Sequence, residues 1–535
     1  MIELLVPALR LSLGETESHF FSSAARQLHI KPEDIKKLKI VRRSLDARKK
    51  EDVFFSVHCL LTVTEKTAAR LLKADNLHIK EAPPPAELAP VHGNAEKKGE
   101  IIVCGFGPAG IFAAWLLARE GYKPIVLERG QAMEQRTRDV ESYWQSGRVL
   151  PESNPMFGEG GAGAFSDGKL TSRSKDPLGQ LVLERFVAAG APEEILYAAK
   201  PHLGTDTLRI VIAALRREIL SLGGEVRFGT RLKAIRTDNG AVTAVTAEQN
   251  GIPKTIPCCA LVLAIGQGAR DTYQYLFENG FALAPKPFAV GVRAEHPQSL
   301  INESQYKSFA GHPALGAAEY RLTAQDNGRG VYTFCMCPGG FVVGAASAPG
   351  EGVVNGMSYF KRDGENANAA VVVQVSPEDF GTGALDGMRF QQKIEQAAFR
   401  LGGGEGLAPA QRVGDFLRDE KTVSFGGIRP TFRPGVTGSS LSLCLPGFIT
   451  HGIKTGLVSF GRQLKGYACE DAVLTAAETR TSAPLRILRD ENGEALLNKG
   501  VYPVGEGAGY AGGIVSAAID GLRAAERIIK KYRER

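Results

Sequence analysis

One stretch constrains the fold of this 535-residue chain more than any other: "EIIVCGFGPAG", residues 100–110. Its apolar part is typical of a buried parallel strand, and Gly105, Gly107 and Gly110 stand between that strand and the helical pattern "IFAAWLLARE". The first glycine permits a tight turn, the second lets backbone amides approach a pyrophosphate, and the third lets helix and strand pack closely. The stretch therefore predicts the dinucleotide-binding βαβ unit of a doubly wound α/β sheet.

The second strand of this unit, "KPIVLER", ends in an acid, Glu128. A carboxylate at this position accepts hydrogen bonds from the ribose hydroxyls of an adenosine and repels a 2′-phosphate, which favours FAD or NAD over NADP. The cofactor contacts predicted on this unit are Gly105, Gly107, Pro108, Ala109, Gly110, Glu128 and Arg129.

The remaining glycine clusters favour FAD over NAD. The stretch "FGEGGAGAFSDGKL", residues 157–170, holds five glycines, which are costly on folding unless the backbone must approach something closely. Other clusters follow the strand that ends before Gly266 and precede the helix after Gly513. A cofactor held by loops so far apart along the chain must be long and extended, as FAD is.

The last cluster, "VGEGAGYAGG", is expected to hold the flavin end of FAD. Glu506 is predicted to hydrogen-bond a ribityl hydroxyl. The helix after Gly513 would direct its N-terminus at the pyrimidine edge of the flavin, where negative charge grows on reduction. The contacts predicted in the later segments are Gly160, Gly161, Gly163, Ser166, Asp167, Leu232, Gly266, Gly505, Glu506, Gly513 and Ile514.

Taken together, these segments resemble the uncharacterised FAD-dependent dehydrogenase (FAD-dependent oxidoreductase) family. The resemblance is carried by "GFGPAG", "LER", "GEGGAGAFSDGKL", "LVLAIGQGARDT", "ETRTSAPLRI" and "GEGAGYAGGIVSAAIDG", and it runs through nearly the whole chain. It implies FAD as cofactor, an oxidoreductase activity, and a single dinucleotide fold of the wider glutathione-reductase-like group. Glu506 departs from relatives in that group, where aspartate is more common.

Changes of pattern divide the chain into four parts. Residues 1–81 follow a βαββαβ order, which predicts a small ferredoxin-like α+β domain, and residues 82–99 are a proline-rich linker. Residues 100–281 and 499–535 are expected to form a discontinuous Rossmann-like FAD-binding domain. Residues 282–498 interrupt it and are expected to form an inserted α+β substrate or cap domain over the flavin.

Two cations are the candidates for catalysis, Arg480 and Lys169. Arg480 could bind an anionic substrate or stabilise reduced flavin, because a guanidinium suits bidentate carboxylate recognition. The alternative is a structural arginine paired to Glu478 or another acid. Lys169 is expected to help orient the flavin, and Arg173 is a weaker candidate for the role of Arg480.

Cys335 and Cys337 in "TFCMCPGG" leave two interpretations, a redox pair or packed thiols. Side chains two positions apart on a strand point to one face without bonding, and a disulfide over this spacing is strained. Packed thiols are therefore favoured, and the same holds for Cys258 and Cys259. No cysteine or histidine set has metal-ligand spacing, so no metal site is predicted and a reducing cytoplasm is expected.

Charge and hydropathy bear on the partners. The basic run "KKLKIVRRSLDARKK", residues 36–50, could bind nucleic acid, but without interleaved aromatic residues a solvated surface is favoured. No apolar run reaches the length of a transmembrane helix, and the N-terminus lacks the pattern of a signal peptide. A small-molecule substrate and no membrane partner are expected.

The leading hypothesis is a flavoenzyme in which FAD exchanges a hydride at N5 with a small substrate, anionic if Arg480 binds it. A second nucleotide-binding GxGxxG unit is absent from the sequence, so an NAD(P)H reductant would bind transiently over the flavin ring. Two alternatives stay open: an RNA-associated flavoprotein that uses its basic N-terminal domain, and an FAD-binding sensor without turnover. A monooxygenase is disfavoured, because "SDGKLTSR" lies at the wrong position for the DG motif of flavin hydroxylases.

Overall fold

The structure, a computed structural model, describes residues 1–74, 78–82, 88–172 and 174–534. Residues 83–87 of the predicted linker and the weaker candidate Arg173 lie outside the described residues. Among the described residues, no helix has both the length and the apolar character needed to cross a bilayer.

The N-terminal part folds around one four-stranded antiparallel sheet with strand order β2-β3-β1-β4. Alternate residues of β3, such as Val57 and Leu61, are fully buried beneath the helices, as a sheet with one covered face requires. Thr64 caps the second helix by accepting the Thr67 amide at 3.3 Å. In chain order the elements are β1 (Ile2–Ser12), α1 (Glu17–Gln27), β2 (Ile35–Asp46), β3 (Phe54–Val63), α2 (Glu65–Leu72) and β4 (Lys80–Glu81).

The basic run between residues 36 and 50 is partly used to attach this sheet to the rest of the chain. The Arg43 amide donates to the Tyr197 carbonyl at 2.6 Å, and the Ala199 amide donates to the Arg43 carbonyl at 2.9 Å. The Lys50 ammonium donates to the Gln305 carbonyl at 2.6 Å. This edge of the sheet is therefore an internal contact surface at these positions.

A second sheet begins with the glycine-rich stretch and has strand order β7-β6-β5-β10-β9-β8. Strands β5, β6, β7 and the end of β10 are parallel, whereas β8, β9 and the start of β10 form an antiparallel meander. The elements are β5 (Glu100–Cys104), α3 (Pro108–Arg119), β6 (Ile125–Leu127), α4 (Met133–Ser146), α5 (Leu178–Ala188), α6 (Gly204–Ser221), β7 (Glu225–Arg227), β8 (Thr230–Asp238), β9 (Ala241–Gln249), β10 (Ile252–Leu263), α7 (Arg270–Glu278) and β11 (Leu283–Pro285).

A third sheet, with order β13-β14-β17-β12-β20-β18-β19, is built from the next two hundred or so residues. Its interior strand β17 is buried at every position from Asn366 to Val373, because both of its faces are covered. The elements are β12 (Phe288–Pro297), α8 (Gln298–Tyr306), β13 (Thr323–Asp326), β14 (Arg329–Cys337), β15 (Phe341–Gly344), β16 (Val354–Met357), β17 (Asn366–Val375), α9 (Pro377–Phe380), α10 (Asp386–Leu401), β18 (Ala408–Arg412), α11 (Val413–Arg418), β19 (Val436–Gly438), α12 (Gly447–Gln463) and β20 (Val473–Glu478).

The chain then returns to the second sheet. Strand β21 (Leu485–Ile487) pairs with β11, and β22 (Val501–Pro503) pairs in parallel with β10. The last helix, α13 (Ile514–Lys531), packs along α3. The protein is thus of mixed α/β class, and its C-terminal segment completes the sheet that the glycine-rich stretch begins.

Candidate functional site

A cavity of about 1540 Å³, counted with its open mouth, lies where the carboxyl ends of β5, β10 and β22 meet the third sheet. Its lining comes from segments as far apart in sequence as Cys104 and Ala517. In open α/β sheets, ligands bind in the crevice outside the carboxyl ends of the strands. This cavity is therefore the candidate functional site.

The turn after β5 forms one wall of the cavity. Gly105 has a φ of +98°, and a Cβ there would overlap the carbonyl oxygen of Ala264. Pro108 and Ala109, the first residues of α3, line the cavity, so the N-terminus of this helix faces it. Free amides and the helix dipole make such an N-terminus suited to an anion.

Glu128 is held by the main chain of three segments. Its carboxylate accepts the amide of Phe106 at 2.8 Å, of Gly130 at 2.8 Å and of Gly158 at 3.0 Å. The side chain is 4% exposed and lines the cavity. A carboxylate has about four acceptor positions, so three amides leave it able to accept a hydroxyl.

The glycine-rich stretch 157–170 approaches the first turn backbone to backbone. Gly161 has a φ of +62°, and a Cβ on it would lie 3.1 Å from the Cα of Gly107. Gly161 and Gly163 line the cavity. Two predicted glycine contacts do not line it, Gly110 and Gly160, so direct contact of these two with the cofactor is corrected.

The reasons for these two corrections are steric. A Cβ on Gly110 would overlap the Gly105 carbonyl, so this glycine lets α3 pack on the turn. Gly160 turns inward: its amide donates to the Phe106 carbonyl at 2.8 Å, and a Cβ would lie 2.6 Å from the Ile212 side chain. Some glycines of this stretch are therefore required for packing within the protein and not for contact with a cofactor.

Sequence reasoning missed Arg136, which anchors the stretch. Its fully buried guanidinium donates to the carbonyls of Asn154 at 3.0 and 3.1 Å, Glu159 at 2.6 Å and Gly161 at 2.9 Å. Burial lowers the pKa of Arg136, with Glu128 and Glu159 acting against that effect. Arg136 shares the helical spacing of the buried Met133, Val140 and Tyr143, and this spacing is the signal that could have separated it from exposed Arg138 in the same helix.

The C-terminal cluster forms the opposite wall. Gly513 and Ile514 line the cavity, and α13 starts at Ile514, so a second helix N-terminus faces the same space. Glu506 also lines it; burial raises the pKa of Glu506 to about 7, and Lys286 opposes the rise. Gln267 Nε2 donates to Glu506 Oε1 at 3.3 Å.

The other predicted cofactor residues lie at the same cavity. Arg129 lines it with its guanidinium 4.1 Å from the centre of the Phe157 ring, and it pairs with Glu152 and Asp271, each at 2.8 Å. Their contacts with a cofactor stay predictions. The predicted residues that line the cavity are Gly105, Gly107, Pro108, Ala109, Glu128, Arg129, Gly161, Gly163, Ser166, Asp167, Leu232, Gly266, Gly505, Glu506, Gly513 and Ile514.

Arg480 reaches the cavity wall, but its guanidinium is occupied. Nε and one terminal nitrogen donate to Glu395 at 3.2 and 3.0 Å, and the same terminal nitrogen donates to Glu351 at 2.7 Å. The other terminal nitrogen donates to Ser347 at 2.7 Å. The predicted role of Arg480 in anion binding is therefore corrected to the structural alternative, with Glu351 and Glu395 as the acids instead of Glu478.

Lys169 lines the cavity with its ammonium 2.5 Å from Asp167. Asp167 is 1% exposed and also accepts from Arg362 Nε at 3.0 Å. Burial acts to raise the pKa of Asp167, but Lys169 and Arg362 outweigh it and lower that pKa. Ser166 caps the local turn by donating to the Gly163 carbonyl at 2.8 Å. Of the two predicted catalytic cations, Lys169 has the more exposed side chain, 28% against 6% for Arg480.

Comparison with known proteins adds the family. Residues 287–481 match the family described as "FAD-dependent protein, C-terminal domain-like", and residues 3–61 match a domain of unknown function. An uncharacterized protein of Clostridium beijerinckii is 49% identical over 530 residues, which cover 98% of each chain. The cofactor that the family match supports is FAD.

Solved structures resemble the chain more distantly. A triple mutant of the flavin-dependent brominase Bmp2 is 12% identical and covers 81% of both chains, with a TM-score of 0.35. CtdE in complex with FAD is 11% identical, over 81% of this chain and 84% of its own, with a TM-score of 0.31. The anhydrotetracycline hydroxylase OxyS from Streptomyces rimosus is 17% identical, and the match covers 53% of this chain and 47% of OxyS, with a TM-score of 0.27. At such scores these structures carry no argument about function.

Proposed function

Because the chain belongs to one family with the Clostridium beijerinckii protein and carries the FAD-dependent protein C-terminal domain-like region, we propose that it is an FAD-dependent oxidoreductase of dehydrogenase type. In this proposal a hydride passes between flavin N5 and a small organic substrate. FAD supplies the redox chemistry when bound, and the protein supplies binding, orientation and electrostatics.

One observation carries the proposal: two helix N-termini and one ribose-type acid face a single cavity. The N-terminus of α3 suits the pyrophosphate of FAD, and Glu128 at the end of β6 suits the adenosine ribose. The N-terminus of α13 faces the same space and suits the pyrimidine edge of the flavin. A mononucleotide would leave one of these ends unused.

The domain assignment belongs to the same proposal. Residues 100–281 and 499–535 would be the discontinuous Rossmann-like domain, since β22 returns to pair with β10. Residues 282–498 would be the inserted domain that covers the flavin, and they contain the matched region 287–481. The antiparallel order β2-β3-β1-β4 supports a ferredoxin-like unit over residues 1–81. Membership of the glutathione-reductase-like group is proposed with it.

The chain's own residues would act by position and charge. Lys169 holds a positive charge at the cavity wall, where it would stabilise an anionic substrate or the charge that grows on a reduced ring. Glu506, whose pKa burial raises to about 7, could hold or release a proton near neutral pH. Both predicted cations are paired with acids, and Lys169 is proposed as the one that meets an anionic substrate because its side chain is the more exposed.

A small molecule is the proposed partner, in preference to nucleic acid. Arg43 and Lys50 of the basic run make internal hydrogen bonds, and Arg48 pairs with Asp46 at 2.5 Å. The Arg43 guanidinium also lies over two aromatic rings, so the side chains of all three cations already have partners within the protein. Transient binding of NAD(P)H over the flavin is proposed as the source of reducing equivalents, and a cytoplasmic location is proposed with it.

Flavin analysis of the purified protein tests the proposal. We expect a yellow protein that releases one FAD per chain on denaturation and whose absorbance bleaches when NADH or NADPH is mixed with it anaerobically. Bleaching by neither nucleotide would contradict the proposed reductant but not FAD binding. A colourless protein that fails to bind added FAD by calorimetry would contradict the proposed function itself.

A further inference from the structure

Cys335 occupies an irregular position on the cavity wall. The pairing of β14 with β17 shifts register between Phe334 and Cys337, and Cys335 within that break has a φ of +44°. Cys335 is partly exposed, lines the cavity and carries a free thiol. A regular strand would not place two cysteines in this way, so the break determines where the thiol lies.

The second thiol lies against the main chain of Cys335. Cys337 is buried, and its thiol donates to the Cys335 carbonyl at 3.3 Å. Arg293 joins both residues: one terminal nitrogen donates to the Cys335 carbonyl at 3.1 Å and lies 4.0 Å from Cys337 Sγ. The same guanidinium is held by Glu478, at 2.9 Å for each of two hydrogen bonds. The buried arginine therefore holds the main chain of Cys335 and the thiol of Cys337.

The charges around Cys335 favour its thiolate. The neighbouring Cys337 side chain lowers the pKa of Cys335 well below its usual value, and the positive charges of Lys169 and Arg293 act in the same direction. Burial and the negative charge of Asp167 oppose that effect. The acids Glu478 and Glu506 also face this part of the cavity.

Four other buried cysteines differ from Cys335. Burial raises the pKa of each to about 12, which keeps the thiol protonated and unreactive. They are Cys59, Cys104, Cys258 and Cys444. A lowered pKa thus distinguishes Cys335 from all four, including Cys104, which also lines the cavity.

We propose that Cys335 and Cys337 are a redox-active pair that exchanges two electrons with FAD in this cavity. The inference rests on the proposed function, because it needs the flavin beside Cys335. In the exchange, the Cys335 thiolate and the Cys337 thiol lose two electrons and one proton as the S–S bond forms. FAD takes up the same two electrons and the proton, and the reverse transfer restores both thiols.

Anaerobic reduction tests the pair by stoichiometry. Holoprotein is oxidised with diamide, freed of excess reagent, and titrated with dithionite while the flavin absorbance is followed. We expect two electron pairs per FAD for the wild type and one for Cys335→Ser and for Cys337→Ser. Cys469→Ser, which removes a partly exposed thiol outside the cavity, is the matched control and should still take two.

Peptide mass spectrometry gives a readout that does not depend on the flavin. After diamide treatment, with or without FAD, iodoacetamide added under denaturing conditions should leave residues 335 and 337 unalkylated and joined; after dithionite both should be alkylated. One electron pair per bound FAD, together with full alkylation of both residues in the oxidised protein, would overturn the pair. A protein that binds no FAD but joins the two thiols would contradict the proposed function and leave the thiol chemistry standing.

Discussion

The two ends of the cavity are built in different ways. The nucleotide end, around Glu128, is held mainly by main-chain hydrogen bonds. The amides of Phe106, Gly130 and Gly158 donate to the Glu128 carboxylate. At the far end, side chains from distant segments meet, as when Arg480 binds Glu351 and Glu395. We therefore expect added side-chain atoms at the nucleotide end to weaken FAD binding, and the loss of a charge at the far end to lower the stability of the fold.

Gly107→Glu should have the largest effect on cofactor binding. The Cβ itself is tolerated, 3.6 Å from the Gly161 Cα, but the carboxylate would enter the cavity beside the N-terminus of α3. We expect FAD affinity to fall at least ~1000-fold, or about 4 kcal/mol, with little loss of thermal stability. Calorimetry and thermal unfolding measure the two quantities.

The same substitution at an exposed glycine with open space around it, Gly316→Glu, is the control and should leave FAD affinity unchanged. Equal affinities of the Gly107→Glu and Gly316→Glu proteins would show that the nucleotide end does not bind FAD, and the contrast between the two ends would fail.

Arg480→Met tests the far end and should reduce stability. It removes the partner of Glu395, which is fully buried, and of Glu351, although Arg270 still contacts both acids. We expect the free energy of unfolding to fall by about 3 kcal/mol in urea titrations. Arg389→Met, which removes an arginine exposed in its pair with Asp386, should cost less than about 0.5 kcal/mol.

The FAD affinity and turnover of Arg480→Met distinguish a structural role of Arg480 from a role in substrate binding. Because Arg480 is occupied by acids, FAD affinity measured well below the unfolding midpoint should stay within about threefold of wild type, or roughly 0.7 kcal/mol. Unchanged stability with a specific loss of substrate turnover would restore the anion-binding role.

Glu128→Gln should have a smaller effect on FAD binding than Gly107→Glu. The glutamine oxygen can still accept from Gly130 and Gly158, but its NH2 group only donates, so the Phe106 amide loses its acceptor, and the remaining bonds go to a neutral instead of a charged acceptor. We expect FAD affinity to fall about 10-fold, near 1.4 kcal/mol, by calorimetry. Glu278→Gln, at an exposed helix end, is the control; equal affinity in both variants would remove Glu128 from the ribose site.

Lowering the pH should reduce the difference in the free energy of unfolding between wild type and Arg480→Met. Against the desolvation caused by burial, Arg480 and Arg270 lower the pKa of Glu395 to about 2. A carboxyl whose folded pKa is depressed stabilises the fold above its unfolded pKa, about 4.3, and loses that contribution as pH falls towards 2. The gap between wild type and Arg480→Met should shrink by ~1 kcal/mol over this window. A gap independent of pH would contradict the pairing.

The success of sequence reasoning differed between these regions for a physical reason. Gly105 and Glu128 belong to one short strand–turn–helix–strand unit, so local sterics and hydrogen bonding predict their places. Gly160 and Gly161 are adjacent and identical, and only packing against Ile212 or Gly107 tells them apart. Arg136 carries no local mark of the loop it anchors.

Charge pairing was beyond local reasoning. The sequence showed Glu478 two positions from Arg480, yet Glu478 binds Arg293, and the partners of Arg480 come from positions 351 and 395. Likewise, the alternation expected of a strand points Cys335 and Cys337 to one face, but a register shift in β14 brings Cys335 to the cavity wall while Cys337 is buried behind it.

The sequence alone determined the mixed α/β class, the dinucleotide-type turn, the acid that suits a ribose, and a second helix that a glycine precedes near the C-terminus. Each of these follows from steric and hydrogen-bonding rules that act over a few neighbouring residues. The tertiary structure alone decided that both helix N-termini face one cavity, that Arg480 is paired with Glu351 and Glu395, and that Cys335 and Lys169 line the same cavity. Those outcomes depend on which distant segments meet. A buried charge is costly unless it is paired, and the available partner is set by the fold and not by the neighbouring sequence.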